Sequence, residues 1–145
     1  MKVGIVGAGM IVHDFLTFAH EVTGMELVAL CATPAEKEKI VEMCQANNIK
    51  AHYTNIDVML EDSEVEVVYV AVPNHLHYEM CKKAILAGKH VICEKPFTSN
   101  LKELEELVAL ADTNKVIMVE AVSTQYLPNT CLLYTSDAAD EGLGV

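Results

Sequence analysis

Lys2-Val-Gly-Ile-Val-Gly7-Ala-Gly9-Met-Ile-Val12 opens the chain. A short apolar run of strand character ends in a glycine turn, and a helix-forming segment follows it. Gly7 allows the tight turn at the strand end. Gly9 lets the backbone approach a pyrophosphate, which would rest on the free N–H groups of the helix start, from Met10 and Ile11 to Asp14. This is the dinucleotide-binding fingerprint with one departure. Val12 stands where a third glycine is expected, which predicts a helix packed further from the strand.

Strand and helix patterns alternate outward from this unit to about Glu120, the order expected of a parallel sheet with crossover helices. Strands are predicted near residues 2–7, 26–31, 51–53, 66–72, 90–93 and 116–119. The spacing predicts helices over Met10 to His20, Ala35 to Ala46 and Ile56 to Glu61. Another is predicted over His75 to Ala87, with Asn74 as N-cap and Gly88 as a left-handed stop. A last helix begins at the capping box Asn100-x-x-Glu103 and carries Leu101, Leu104, Leu107, Val108 and Ala111 on one stripe. The fold class is therefore α/β, a Rossmann-type doubly wound parallel sheet.

Composition narrows the function classes. The 145 residues are 52% hydrophobic, enough for a sizeable core, and no apolar run is long enough to span a membrane. No signal peptide is visible in the interrupted first segment. The five cysteines are odd in number and show no C-x-x-C spacing, so they read as reduced thiols of a cytoplasmic protein. A net charge of −11 argues against nucleic acid and anionic membranes as partners. The chain has no arginine, so no guanidinium clamp is available for a phosphate or carboxylate.

A second chemistry-bearing stretch is Ala87-Gly-Lys-His-Val-Ile-Cys-Glu-Lys-Pro-Phe97, where a hydrophobic strand runs into Glu94 and Lys95 and stops at Pro96. Ligands of open α/β sheets bind beyond the carboxyl ends of the strands, and Lys95 sits one residue past such an end. A lysine there suits proton transfer to or from a hydroxyl and electrostatic support of a developing alkoxide. A solvated loop pair is the competing reading of Glu94 and Lys95. His75, His77 and Cys81 raise the question of a metal, but residues two apart on a helix face different ways, and no metal site is expected.

With these motifs in place the chain resembles the amino-terminal domain of the Gfo/Idh/MocA family of NAD(P)-dependent oxidoreductases. The resemblance rests on Gly7-Ala-Gly-Met-Ile-Val12, on Ala71-Val-Pro-Asn-His-Leu-His77 and on Gly88-Lys-His-Val-Ile-Cys-Glu-Lys-Pro96, and covers residues 1–130. It implies that Pro73, Asn74 and His75 line the cofactor, that Glu94 reaches the nicotinamide ribose, and that Lys95 contacts the substrate hydroxyl. It also implies reversible hydride transfer with a sugar, cyclitol or related polyol, and a homo-oligomeric full-length form. A ligand-sensing regulator on the same fold is the alternative, which the intact Glu94-Lys95-Pro96 disfavours.

An NAD-selective domain places an acid at the end of the second strand, against the ribose 2′-hydroxyl. Here Ala32 occupies that place, and Thr33 and Lys37 are positioned to meet a 2′-phosphate, so NADP is expected, with NAD as the alternative. Gln125 stands where many relatives have arginine. Residues 131–145, beginning Cys131-Leu-Leu-Tyr-Thr-Ser-Asp, resemble the translation of a transposase sequencing adapter and read as a non-native tail. The family's second domain, which binds substrate, is expected to be missing. Its absence should leave an apolar patch around Val119, Ala121, Val122, Tyr126 and Leu127.

Overall fold

The computed structural model describes residues 1–122. Six strands, β1 (Lys2–Val6), β2 (Glu26–Cys31), β3 (Ala51–Tyr53), β4 (Val67–Val70), β5 (His90–Glu94) and β6 (Met118–Ala121), form one sheet in the order β3-β2-β1-β4-β5-β6. Every pairing is parallel. The helices between them are α1 (Met10–Phe18), α2 (Lys37–Ala46), α3 (Ile56–Leu60), α4 (His77–Leu86) and α5 (Leu101–Asn114). The order of the strands reverses between β1 and β4, which opens a crevice at the carboxyl ends of those two strands.

Alternation along the buried strands sends side chains into two separate cores. Val3, Ile5, Leu30, Val67 and Tyr69 pack with Val12, Leu16 and Ile40 of α1 and α2. Val6, Val68, Val70, Val91 and Cys93 pack with Met59, Ile85 and Leu107 of α3, α4 and α5. Val12 is fully buried in the first core, so the valine in place of a third glycine fills the helix–strand interface with apolar volume. The first face thins out toward β5 and β6, where Ile92 is half-buried and Val119 is 46% exposed.

Element ends differ from the sequence expectations for identifiable reasons. Asn74 does not cap α4. It lies inside a 3₁₀ turn, Asn74–Leu76, closed by a 2.8 Å bond from the Leu76 N–H to the Pro73 carbonyl. The fixed φ of proline already sets that turn. A second 3₁₀ turn, Pro34–Glu36, delays α2, and a third, Ala19–Glu21, ends α1 at Phe18. β6 starts two residues later than expected because Lys115, at φ 59°, closes α5 and the Val116 N–H returns to the Ala111 carbonyl. Gly88, at φ 72°, does stop the preceding helical segment in the left-handed region. The α5 stripe is narrower than expected: Leu107 and Ala111 are buried, whereas Leu101 and Val108 are 68% and 45% exposed. Ala121 and Val122 are half-buried. The expectations for Gln125, Tyr126, Leu127 and the tail from 131 fall outside the described residues.

This division of α5 predicts unequal costs for neighbouring truncations. Leu107→Ala should lose about 3 kcal/mol, the usual cost of emptying a buried leucine site. Val108→Ala should stay within about 0.5 kcal/mol of wild type. Urea denaturation midpoints of the two variants measure the difference.

Candidate functional site: a cleft at the reversal of the sheet

Strand register sets the floor of the site. Val6 lies opposite Cys31 and Val70, and Val70 lies opposite Cys93, so four strands end in one row. The next residues in chain order, Gly7, Ala32, Ala71 and Glu94, form the rim above that row. At the usual strand spacing the rim runs about 14 Å from β2 to β5.

A cleft of about 890 Å³ opens over this row. Of the residues singled out from sequence, Gly7, Gly9, Ile11, Ala32, Thr33 and Pro73 line it. Thr54 and Asn55, after β3, close its far side. Met10, Asn74, His75, Glu94 and Lys95 do not line it. Met10 is 81% exposed on α1, and Asn74 and His75 are exposed beside Pro73. Glu94, at the β5 end of the rim, and Lys95 after it stand outside the cleft, on the opposite side of β1 from β2. Lys37 faces a separate hollow of about 260 Å³ with His52, Tyr53 and Val58, which meets the cleft at Thr54 and Asn55.

The two glycines of the turn are required for different reasons. Gly7 has φ 122°, and a Cβ there would lie 2.2 Å from the Ala71 carbonyl oxygen. No side chain fits. Gly9 has φ −76°, open to any residue, and a Cβ on it would meet no atom of the described residues within 4 Å. Glycine is favoured at this N-cap position, and it also leaves the start of α1 bare toward the cleft. Gly9 precedes α1, whose first turn carries no acidic side chain and presents N–H groups without intrahelical acceptors. That arrangement suits an anionic group.

Several residues that sequence reading passed over shape this site. Lys39 of α2 donates through Nζ to the Ala8 carbonyl and brings a cation to the glycine turn. Glu36 lines the cleft, and its Oε2 accepts from the Thr33 hydroxyl at 2.7 Å and the Thr33 N–H at 3.3 Å. An acid is thus present near the end of β2 after all, four residues beyond Ala32. The Tyr69 hydroxyl donates to Glu94 Oε1 at 2.7 Å, while its ring packs on Phe15 of α1 with centroids 4.6 Å apart. A phenol in the middle of a buried apolar strand needs a polar partner, which was the available signal for this contact.

Burial and the neighbouring Glu94 push the Tyr69 phenol well above its ordinary value. Burial, with a smaller contribution from Asp57, pushes the Cys31 thiol up to about 11. A hydrogen bond with Cys81, followed by burial, drives the Cys93 thiol up as well. Neither thiol is poised as a nucleophile. Among the described residues no three His, Cys, Asp or Glu side chains converge as metal ligands. His75 is exposed and His77 fully buried, so the H-x-H pair faces two ways.

Known proteins share this fold. The oxidoreductase family with an NAD-binding Rossmann fold, GFO_IDH_MocA, matches residues 1–121. The chain is 35% identical over 129 residues to scyllo-inositol 2-dehydrogenase (NADP(+)) IolU of Bacillus subtilis, covering 89% of this chain and 39% of that protein. It is 35% identical over 115 residues to 1,5-anhydro-D-fructose reductase of Ensifer adhaerens, covering 79% and 34% respectively. Among solved structures, KijD10, a 3-ketoreductase from Actinomadura kijaniata in complex with NADP, superposes with a TM-score of 0.85 at 26% identity. The match covers 99% of this chain and 44% of that one. The chain thus spans less than half the length of these relatives. Among the described residues no helix is long and apolar enough to cross a membrane.

Two predictions separate the roles derived above. Gly7→Ala should prevent stable folding, whereas Gly9→Ala, at the N-cap of α1, should cost only about 1 kcal/mol yet weaken dinucleotide binding; denaturation and calorimetry on each variant read both effects. Because the folded-state pKa of Tyr69 lies above the unfolded value of 10.0, its stabilising contribution is complete below that pH and is lost as pH climbs past it. The stability of Tyr69→Phe, measured by urea denaturation, should accordingly fall less steeply than that of wild type as pH rises above 10.0.

Proposed function

The chain belongs to the Gfo/Idh/MocA oxidoreductase family with its NAD-binding Rossmann fold, and from that premise we propose that it is the nucleotide-binding half of an NADP(H)-dependent dehydrogenase. Its proposed substrate carries a carbinol of a sugar, cyclitol or related polyol. The observation that carries this reading is Gly9, whose bare backbone at the start of α1 lines the cleft and is demanded by no contact among the described residues. In this reading residues 1–130 are the nucleotide domain, and a second domain would bind the substrate, this chain spanning 39% of the length of the Bacillus relative.

In this reading a dinucleotide runs from the cleft along the rim toward β5. The N–H groups at Gly9, Met10 and Ile11, with Lys39 beside them, would hold the pyrophosphate. Ala32 and Thr33 border the adenosine ribose, and Pro73, Asn74 and His75 the nicotinamide half. Glu94, oriented by Tyr69, accepts from the nicotinamide ribose. When bound, the nicotinamide supplies or accepts the hydride. Lys95 acts on the other atom of the carbinol: as the neutral amine it takes the hydroxyl proton during oxidation, and as the resulting ammonium it returns that proton to the oxygen during reduction.

NADP is favoured because Ala32 leaves the end of β2 without the acid that grips a 2′-hydroxyl. Glu36 is set differently from that acid: it follows β2 by five residues and closes the Pro34–Glu36 turn, with Oε2 accepting from Thr33. The NADP named for the relatives above supports the same choice. Glu36 nevertheless brings negative charge near a 2′-phosphate, so Glu36→Gln should raise affinity for NADPH. NADPH should bind the chain more tightly than NADH in calorimetric titration, and the reverse order would overturn the preference. In the protein carrying its second domain, Lys95→Met should lower polyol turnover by roughly 10² to 10⁴-fold with nucleotide affinity nearly unchanged. Retained turnover would refute the role given to Lys95.

A further inference from the structure

His77, the first residue of α4, has no surface in contact with solvent. Its Nδ1 lies 2.8 Å from the Pro96 carbonyl oxygen and its Nε2 lies 2.8 Å from the Val72 carbonyl oxygen. Those carbonyls belong to different loops. Val72 leads out of β4 into Pro73, Asn74 and His75, and Pro96 directly follows Glu94 and Lys95. The pairing of β4 with β5 ends at Val70 and Cys93, so past that row the loops have no ladder to hold them together. Among the described residues, His77 is the hydrogen-bonded link between them. On its other side the Pro96 loop is held by Glu120 of β6, whose Oε1 accepts from the Phe97 N–H at 2.8 Å.

The chemistry of the ring makes this more than filling of volume. An apolar side chain would occupy the same space without the cost of burying a polar group. A neutral imidazole has one N–H and one lone pair, so it donates to one of the two carbonyls, and donating to both requires a proton on each nitrogen. In either state a ring N–H is committed to a loop carbonyl in a dry interior, where a lost hydrogen bond is costly.

We propose that His77 is a positioning residue that clasps the Val72 loop to the Pro96 loop and thereby sets where Lys95 and Glu94 stand relative to the nicotinamide end of the cleft. The clasp stands on geometry alone. Its meaning for the nucleotide rests on the function proposed above, and the experiment keeps the two apart.

The first arm uses the wild-type chain with ¹⁵N-labelled histidine. A His77 ring N–H proton should persist in slow exchange with solvent, while the exposed His75 ring shows none. Exchange at His77 as fast as at His75 would overturn the clasp. The second arm compares affinity for NADPH with affinity for 2′-phospho-ADP-ribose, which lacks the nicotinamide. His77→Phe should weaken NADPH binding about tenfold, the worth of roughly one buried hydrogen bond, and leave the shorter nucleotide within about twofold. His77→Asn, which keeps an N–H donor, should recover part of the loss, and it is read alone if the phenylalanine variant fails to fold. Equal loss for both nucleotides, or no loss for either, overturns the positioning role. A wild-type chain that binds neither nucleotide overturns the functional reading together with that role, and the ring proton then decides the clasp by itself.

Discussion

The contact on which the site depends is the approach of Gly7 to Ala71. The Gly7 N–H bonds the Cys31 carbonyl and the Ala71 N–H bonds the Val6 carbonyl, each at 2.8 Å, so three strands finish in register around one residue without a side chain. A methyl group at Gly7 would intrude to 2.2 Å of the Ala71 carbonyl oxygen. Separating the strand ends to admit it would undo the row formed by Val6, Cys31, Val70 and Cys93, and with it the floor of the cleft. The chain turns sharply at Gly7 and enters α1 three residues later. The open helix start beside the cleft is therefore a consequence of that contact.

Charge makes the local arrangement matter more than the overall field. A chain of net charge −11 repels an anionic dinucleotide at long range. Without an arginine, attraction in the proposed reading has to come from oriented backbone N–H groups and from Lys39, bonded to Ala8 in the turn itself. The helix start is free of acidic side chains, which preserves that attraction. At the other end of the rim, Phe15, Tyr69 and Glu94 connect the glycine-turn helix to the end of β5 through one packed ring and one hydrogen bond.

Most of the architecture was legible because its determinants are local. Alternating apolar runs, the turn glycines and the Asn100 cap each act within a few residues, and they place all six strands and five helices in the right order. The cap is visible as the Asn100 side chain accepting from the Glu103 N–H at 3.0 Å. Element ends were less legible where a turn competes with a helix. The Pro34–Glu36 turn postpones α2, and no lysine was expected at the glycine turn, Lys37 having been read as a partner of a 2′-phosphate. Lys39 reaches Ala8 while Lys37 points into the neighbouring hollow. The contacts of Tyr69, His77 and Glu36 were missed for a related reason: their partners lie in other segments, or, for Glu36, depend on a turn that propensity did not reveal. Periodicity reports which face a residue takes and is silent about the atom it meets there.

The most direct test of the central claim is to follow the backbone amide resonances of the ¹⁵N-labelled chain during titration with NADP⁺. The account predicts saturable shifts concentrated at Gly7 to Ile11, Ala32, Thr33 and Ala71 to His75. Residues of the hollow at the opposite ends of the strands, such as Lys89 and Ile117, should stay unmoved. Shifts centred on Lys89 and Ile117, or a glycine turn that does not respond at saturating nucleotide, would contradict it.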